Sequence, residues 1–69
     1  MDRIPVDSSN LASVGYDQES GTLEIEFHSG RVYRYTGVPR YLYEGLMQAP
    51  SKGRFFNSEI KPLFYGDRC

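Results

Sequence analysis

The feature that most constrains the fold is an alternating stretch over residues 22–36, interrupted once by a Ser-Gly pair. In its first half, Leu23, Ile25 and Phe27 point to one side and polar residues point to the other, which is the period of a half-buried strand. The second half, residues 31–36, is rich in the aromatic and β-branched residues that favour strands. The stretch therefore predicts a β-hairpin on which the other elements must pack.

The length of the hairpin loop decides which side chains share a face. A two-residue turn would place Arg34 opposite Ile25 in the core and leave Tyr33 and Tyr35 facing solvent. A three-residue loop, with its glycine in the left-handed conformation, shifts the pairing by one residue, so that Ile25 faces Tyr33 and Glu24 faces Arg34. We favour this second register because it pairs opposite charges and keeps the arginine out of the core. It predicts largely buried tyrosine rings.

A third strand precedes the hairpin. Residues 11–17 can alternate with Ala12, Val14 and Tyr16 on one face, and Gly15 is a position where the strand could carry a bulge. Joined to the hairpin by a short polar turn, this strand completes a three-stranded antiparallel β-meander.

Two helices should follow the meander. Residues 39–49 begin with a proline suited to the first helical turn and repeat apolar residues at helical spacing, so this helix should cover the apolar face of the hairpin. A short second helix over residues 52–61 follows Ser51, a good N-cap. Residues 63–65 form an apolar tail that could dock or add an edge strand, and residues 66–69 should fray. The predicted fold class is α+β: a three-stranded meander packed against one longer and one short helix.

Composition bounds the classes of function. The chain has 69 residues, enough for one domain with a small core. Its net charge of −1 argues against a strongly basic nucleic-acid binder and against a polybasic membrane anchor. No apolar run approaches the ~20 residues of a membrane span, and no signal peptide is evident, so we expect no membrane partner. The single cysteine, Cys69, cannot form an internal disulfide, which fits a cytoplasmic location.

The order and spacing of several short motifs resemble the KTSC domain family. In chain order the motifs are Ser8-Ser9-Asn10, Val14-Gly15-Tyr16, the strand and glycine turn over residues 23–30, Tyr33-Arg34-Tyr35, Val38-Pro39 and the block over residues 49–57. The resemblance covers nearly the whole chain and implies a single KTSC-like domain over residues 1–69. Members of this family occur alone in bacterial and phage proteins and at the C-terminus of some lysyl-tRNA synthetases. The family implies no established activity, although the synthetase context suggests RNA binding.

The sequence contains no legible catalytic pattern. His28 stands alone beside a turn and far in sequence from Cys69, so no nucleophile–base pair is evident. One histidine and one cysteine give no zinc pattern, and Ser-Lys-Gly at residues 51–53 lacks the glycine framework of a phosphate loop. Glu24 and Glu26 share a strand face, but a solvated surface explains them better than an acid–base pair. We therefore expect a non-catalytic module without metal or cofactor.

Cations and aromatic residues favour a binding role. Six of the eight cations are arginine, which suits planar contacts with phosphate and bases. Residues 52–57 interleave cations, aromatic rings and an amide at a helix start. The predicted surface for RNA or a nucleotide comprises Tyr33, Arg34, Tyr35, Lys52, Arg54, Phe56 and Asn57. For this surface to form, the fold must bring Arg34 next to Lys52 and Arg54.

Two alternatives stay open at this point. In a purely structural interpretation, which we place slightly ahead for residues 52–57, Phe56 belongs to the core, Lys52 and Arg54 are merely solvated, and Asn57 is a capping or turn residue. In a different functional class, an exposed sheet edge or the aromatic tail binds a protein partner or a second copy of the chain, forming a homodimer. Salt dependence separates the two functions, because phosphate binding weakens steeply with salt and an apolar interface does not.

Overall fold

A five-stranded antiparallel sheet forms the scaffold of the protein in a computed structural model that describes residues 2–69. Its strands, which neighbour one another in chain order, are β1 (Ile4–Pro5), β2 (Leu11–Asp17), β3 (Thr22–Phe27), β4 (Val32–Tyr35) and β5 (Gly66–Arg68). The predicted three-stranded meander is the centre of this sheet, from β2 to β4. The α+β class is confirmed, and the predicted strand number is corrected from three to five within the described residues.

The C-terminal edge strand shows that the expected fraying of residues 66–69 is wrong. β5 pairs with β4, and Gly66 lies opposite Tyr35. A Cβ on Gly66 would collide with the Tyr35 ring, so glycine allows this strand to lie directly against the ring. At the other edge, β1 pairs Ile4 with Val14 and ends at Pro5, a residue that edge strands tolerate.

The central hairpin has the register that keeps arginine out of the core. Glu24 lies opposite Arg34, and Ile25 lies opposite Tyr33. Gly30 closes the loop with a φ of 92°, the left-handed region that glycine adopts without strain. The three-residue loop and its pairing are therefore confirmed.

β2 carries its irregularity near its start rather than at Gly15. The register with β3 shifts between Leu11 and Ser13, which leaves Ala12 as the extra residue of a bulge. As a result Leu11, rather than Ala12, joins Val14 in the fully buried core.

One helix and one composite helical segment close the core on a single face of the sheet. Helix α1 (Arg40–Gln48) buries Leu42 and Leu46, and Pro39 is its N-cap rather than its first helical residue. None of the helices within residues 2–69 has the length and apolar character needed to cross a bilayer.

The second helical segment begins as predicted and then widens. Helix α2 (Lys52–Phe55) is capped by Ser51, whose Oγ accepts a hydrogen bond from the Arg54 N–H at 3.4 Å. It continues into a π-helical turn (Phe56–Ile60), where the Lys61 N–H donates to the Phe56 carbonyl at 2.9 Å. Phe56 and Ile60 both point into the core.

The core unites both layers. Its buried apolar residues are Leu11, Val14, Leu23, Ile25, Tyr35, Val38, Leu42, Leu46, Phe56 and Ile60. The predicted covering of the hairpin by the helices is thus confirmed for Leu23 and Ile25, while Phe27 stays half-buried at the margin.

Replacing Ile25 or Leu46 by alanine should destabilise the protein by about 2–5 kcal/mol, because each side chain is fully buried and its loss leaves a cavity. Urea unfolding followed by circular dichroism measures this free energy. Leu63→Ala is the matched control: Leu63 is 68% exposed, so its truncation should change stability by less than about 0.5 kcal/mol. An unchanged unfolding midpoint for Leu46→Ala would contradict the described core.

Candidate binding site

The residues of the predicted RNA surface do not lie on one surface. Arg34 lies opposite Glu24 on the face of the sheet turned away from the helices, which we call the outer face. Lys52 and Arg54 belong to α2, on the covered side. The predicted contact surface requires Arg34 to lie next to Lys52 and Arg54, and the fold does not bring them together.

The predicted aromatic residues divide between the core and its margin. Tyr35 is 5% exposed and Phe56 is 4% exposed, and their rings meet edge to face with centroids 5.4 Å apart. Burial raises the pKa of the Tyr35 hydroxyl. These two rings are core residues, as the structural interpretation of Phe56 proposed, and neither offers a free face to a base. Tyr33 is half-buried and packs edge to face on Phe27 at 5.9 Å.

A cleft of about 430 Å³ opens where the hairpin loop approaches the helical segment. We call it the hairpin cleft. Its apolar lining comes from Leu11, Phe27 and Phe56, and its polar rim comes from Ser9, Asn10, His28, Ser29, Arg31, Tyr33 and Asn57. The cleft thus brings together Tyr33, Phe56 and Asn57 of the predicted surface, and adds groups that were not predicted.

Hydrogen bonds between two distant segments build one wall of the hairpin cleft. His28 Nε2 donates to the Ser8 carbonyl at 2.7 Å, and the His28 N–H donates to the Asn10 carbonyl at 3.2 Å. The Ser8 Oγ in turn accepts from the Asn10 and Leu11 N–H groups, each at 3.3 Å. Because a carbonyl only accepts, Nε2 carries the proton, and the other ring nitrogen of a neutral imidazole stays an acceptor. His28 is therefore a surface turn residue that anchors the loop.

A glycine contact joins this wall to α2. A Cβ at Gly53 would lie 2.5 Å from the Asn10 Nδ2, so only glycine lets the Asn10 amide pack against the helix backbone. The prediction of site residues missed Asn10, since nothing in the linear sequence connects it to α2. The available signal was that Ser8-Ser9-Asn10 and Gly53 both occur in the motifs that carry the family resemblance.

The two cations of α2 flank the hairpin cleft without lining it. Lys52 is half-buried, and its Nζ donates to the carbonyl of Ala49, the C-cap of α1, at 3.3 Å, which ties it to the end of the preceding helix. Arg54 is exposed. Neither is among the residues that line the cleft, although both adjoin Gly53.

Glu24 is a buried carboxylate that organises the outer face. Its side chain is 8% exposed and accepts hydrogen bonds from Arg34 Nε and from Arg3 Nη1, each at 2.8 Å. The hydrogen bond from Arg34 is the main cause that holds the pKa of Glu24 below its ordinary value, against the opposing effect of burial. Glu26 accepts from the Ser13 hydroxyl at 2.7 Å. Both carboxylates therefore have structural partners, of which Arg3 and Ser13 were not predicted.

The described residues contain no metal site: within residues 2–69, no three His, Cys, Asp or Glu side chains cluster as a bound ion would require. The chemistry available in the hairpin cleft is thus that of amide, imidazole, phenol and guanidinium groups around an apolar lining.

Comparison with known proteins shows a family model and several relatives that match most of this chain. The KTSC domain model matches residues 7–65. An uncharacterized protein of Stutzerimonas stutzeri is 48% identical over 65 residues, which are 94% of this chain and 92% of that protein. A lysine–tRNA ligase of Nostoc punctiforme is 47% identical over 58 residues, which are 84% of this chain but only 10% of the ligase.

The three-dimensional comparison agrees with the sequence comparison. The crystal structure of a KTSC domain protein from Yersinia pestis matches with a TM-score of 0.93 and 43% sequence identity. The match covers 99% of this chain and 96% of that chain, so the two share the whole five-stranded architecture and its helical layer.

Glu24→Gln should destabilise the protein by about 1–2 kcal/mol at neutral pH, because it removes the carboxylate from two charged hydrogen bonds. The cost stays this small because solvent screens Arg34, which is more than half exposed. The folded-state pKa of Glu24 is lowered from its ordinary 4.5. Its contribution is therefore fully present above about pH 4.5 and is lost as the pH falls through the folded-state pKa. The difference in unfolding free energy between wild type and Glu24→Gln should shrink over that acidic range.

Glu44→Gln is the matched control for this measurement. Glu44 accepts from Arg40 at 3.1 Å, but both side chains are more than half exposed, so its loss should change stability by less than about 0.5 kcal/mol. Equal effects of the two variants, or a Glu24 effect independent of pH, would show that the buried pairing contributes no special stability.

Proposed function

The chain belongs to the KTSC domain family, and we propose that it is a non-catalytic binding module whose hairpin cleft accommodates a base of single-stranded RNA or a nucleotide. One observation carries this proposal. The cleft gathers the side-chain amides of Asn10 and Asn57 and the guanidinium of Arg31 around an apolar lining.

The groups in the hairpin cleft suit the parts of a nucleotide. Each side-chain amide offers both a donor and an acceptor, which is the pattern that base edges complement. Arg31 is exposed and forms no ion pair within residues 2–69, so its guanidinium is available to a phosphate. The volume of about 430 Å³ falls within the range of small-molecule sites.

The hydrogen bonding of His28 supports a role without catalysis. Its Nε2 donates to a backbone carbonyl rather than contacting a serine or cysteine side chain, whereas a nucleophile–base pair requires that second contact. Glu24 and Glu26, the paired carboxylates on β3, are held by arginine and serine partners. Both observations favour a module that recognises a ligand without transforming it.

The similarity to lysine–tRNA ligases supports RNA as the ligand class. The ligase of Nostoc punctiforme is named for its action on tRNA, and one tenth of its length corresponds to this chain. An appended module that contacts single-stranded RNA would suit that setting, and it would suit equally a small protein that consists of little else.

Asn57→Asp should weaken binding of a short labelled single-stranded RNA about tenfold, because it replaces a base-edge donor with a carboxylate that also repels phosphate. Fluorescence anisotropy at low salt measures this affinity. Gln48→Glu makes the same chemical change on an exposed residue of α1 outside the cleft, so its affinity should stay close to that of the wild type. Equal losses in both variants would reduce the effect to net charge.

The double variant Lys52→Ala/Arg54→Ala tests the surface predicted from the sequence. It removes two cations beside the cleft and no side chain that lines it. A larger loss of affinity in this variant than in Asn57→Asp would assign the contact to the exposed face of α2 instead of to the hairpin cleft.

A second candidate function, self-association or protein binding, is supported by the apolar segment before β5. Leu63 is 68% exposed and Tyr65 is 80% exposed, although each is large and apolar. Binding of a partner strand to a sheet edge has less support. The edge strands β1 and β5 have two and three residues, which leaves little backbone for pairing.

If Leu63 and Tyr65 form a homodimer contact, sedimentation velocity should show a dimer whose fraction rises with protein concentration and persists at high salt. Leu63→Ser/Tyr65→Ser should abolish this dimer, since it removes the exposed apolar area that would be buried. Tyr41→Ser, which alters another exposed tyrosine, on α1, should leave this dimer intact. A monomer at every concentration would eliminate the homodimer.

A further inference from the structure

A second concavity, of about 470 Å³, lies beside the hairpin loop and extends onto the outer face of the sheet. Four of the six arginines of the chain border it: Arg3, Arg31, Arg34 and Arg68. We call it the arginine groove. In a chain with a net charge of −1, this is an uneven gathering of positive charge.

The anions around the arginine groove do not cancel its cations. The Glu24 carboxylate binds Arg3 and Arg34, and its hydrogen bond is the main cause that raises the pKa of the Arg34 guanidinium. Neither Arg31 nor Arg68 forms an ion pair within residues 2–69. Four guanidinium groups thus face two carboxylates, that of Glu24 in the groove and that of Asp67, which lies opposite Arg34 on β5, and an excess of positive charge remains.

Glu24 also holds two of these guanidinium groups in fixed orientations. It binds Arg34 through Nε, and the Arg34 side chain is still 58% exposed. The terminal nitrogens of Arg34 are therefore free to contact a ligand while the stem is held. A guanidinium that is already positioned loses less freedom when it binds an oxyanion.

The arginine groove is continuous with the hairpin cleft. Ser29 and Arg31 line both concavities. Tyr33, which lines the cleft, lies opposite Arg68 on β5, whereas its neighbour Arg34 lies on the outer face. β5 is a short edge strand. Arg31 at the loop, Arg68 on β5 and Arg34 on the outer face therefore form a row of positive charge from the cleft, around the sheet edge, to the outer face.

We infer that the arginine groove binds the phosphodiester backbone of a single strand whose base occupies the hairpin cleft. The backbone passes Arg31 and Arg68 at the sheet edge and reaches Arg34 on the outer face. This inference rests on the proposed function and adds to it the path of the strand across the protein. It also distinguishes two ligand sizes: a mononucleotide fills the cleft alone, whereas an oligonucleotide engages both concavities. Arginine suits this role because its fork binds phosphate oxygens in pairs.

The test compares Arg68→Gln with Arg54→Gln, two identical changes at exposed arginines, of which only the first borders the groove. The probes are adenosine monophosphate and a labelled single-stranded RNA of about eight nucleotides, a length that small single-strand binding domains cover. Arg68→Gln should weaken RNA binding several-fold and reduce the log–log salt slope by about 0.7, the value for one phosphate contact on a single strand. It should leave adenosine monophosphate binding unchanged, and Arg54→Gln should alter neither affinity.

The single cysteine provides a second readout in the wild-type protein. Cys69 is exposed and borders the arginine groove. A saturating amount of the RNA should slow alkylation of its thiol by iodoacetamide, a neutral reagent, because the bound strand covers it. Adenosine monophosphate should not slow the reaction.

The outcomes separate failure of the groove from failure of the proposed function. If RNA binds but Arg68→Gln matches Arg54→Gln, or Cys69 reacts equally fast under bound RNA, the arginine groove is not part of the site and the hairpin cleft stands. If Arg68→Gln weakens RNA binding while Asn57→Asp does not, the groove stands and the cleft assignment fails. If wild type binds no RNA at low salt, both are overturned.

Discussion

The register of the β3–β4 hairpin is the constraint on which the rest of the structure depends. A three-residue loop closed by Gly30 sets Ile25 opposite Tyr33 and Glu24 opposite Arg34. Because strand side chains alternate, this single choice sends the apolar residues toward the helices and the charged pair to the outer face. A slip of one residue would drive Arg34 into the core and turn Tyr33 and Tyr35 toward solvent.

The same alternation organises the proposed binding surfaces. It separates Arg34, on the outer face, from Tyr33, which lines the hairpin cleft on the covered side. Arg31 lies at the loop, where the cleft and the arginine groove meet. A KTSC domain with a net charge of −1 can in this way present a local positively charged surface, because its arginines are grouped at the hairpin loop, at the sheet edge and on the outer face. Short edge strands keep that path accessible and offer little backbone for aggregation.

Features that depend on neighbours in sequence were predictable. The two-residue period of the hairpin, the charge complementarity of Glu24 and Arg34, and the N-cap at Ser51 are all local patterns, and the structure confirms each of them. The α+β class followed from the same patterns. Of the residues predicted for the binding surface, Tyr33, Phe56 and Asn57 line one concavity, whereas Asn10 and Arg31, which also line it, were not predicted. Local chemistry determines local geometry, because the interacting groups are held close by the chain itself.

Features that depend on contacts between distant segments were decided only by the tertiary structure. β5 forms because Gly66 lets it lie against Tyr35, some thirty residues earlier in the chain. Nothing in the short polar terminal segment itself predicts this contact. The hairpin cleft exists because Asn10 packs on Gly53 and His28 binds back to the segment before β2. The separation of Arg34 from α2 has the same origin. A linear sequence shows which groups are present, but the faces of a sheet and the packing of a helix decide which of them can touch one ligand.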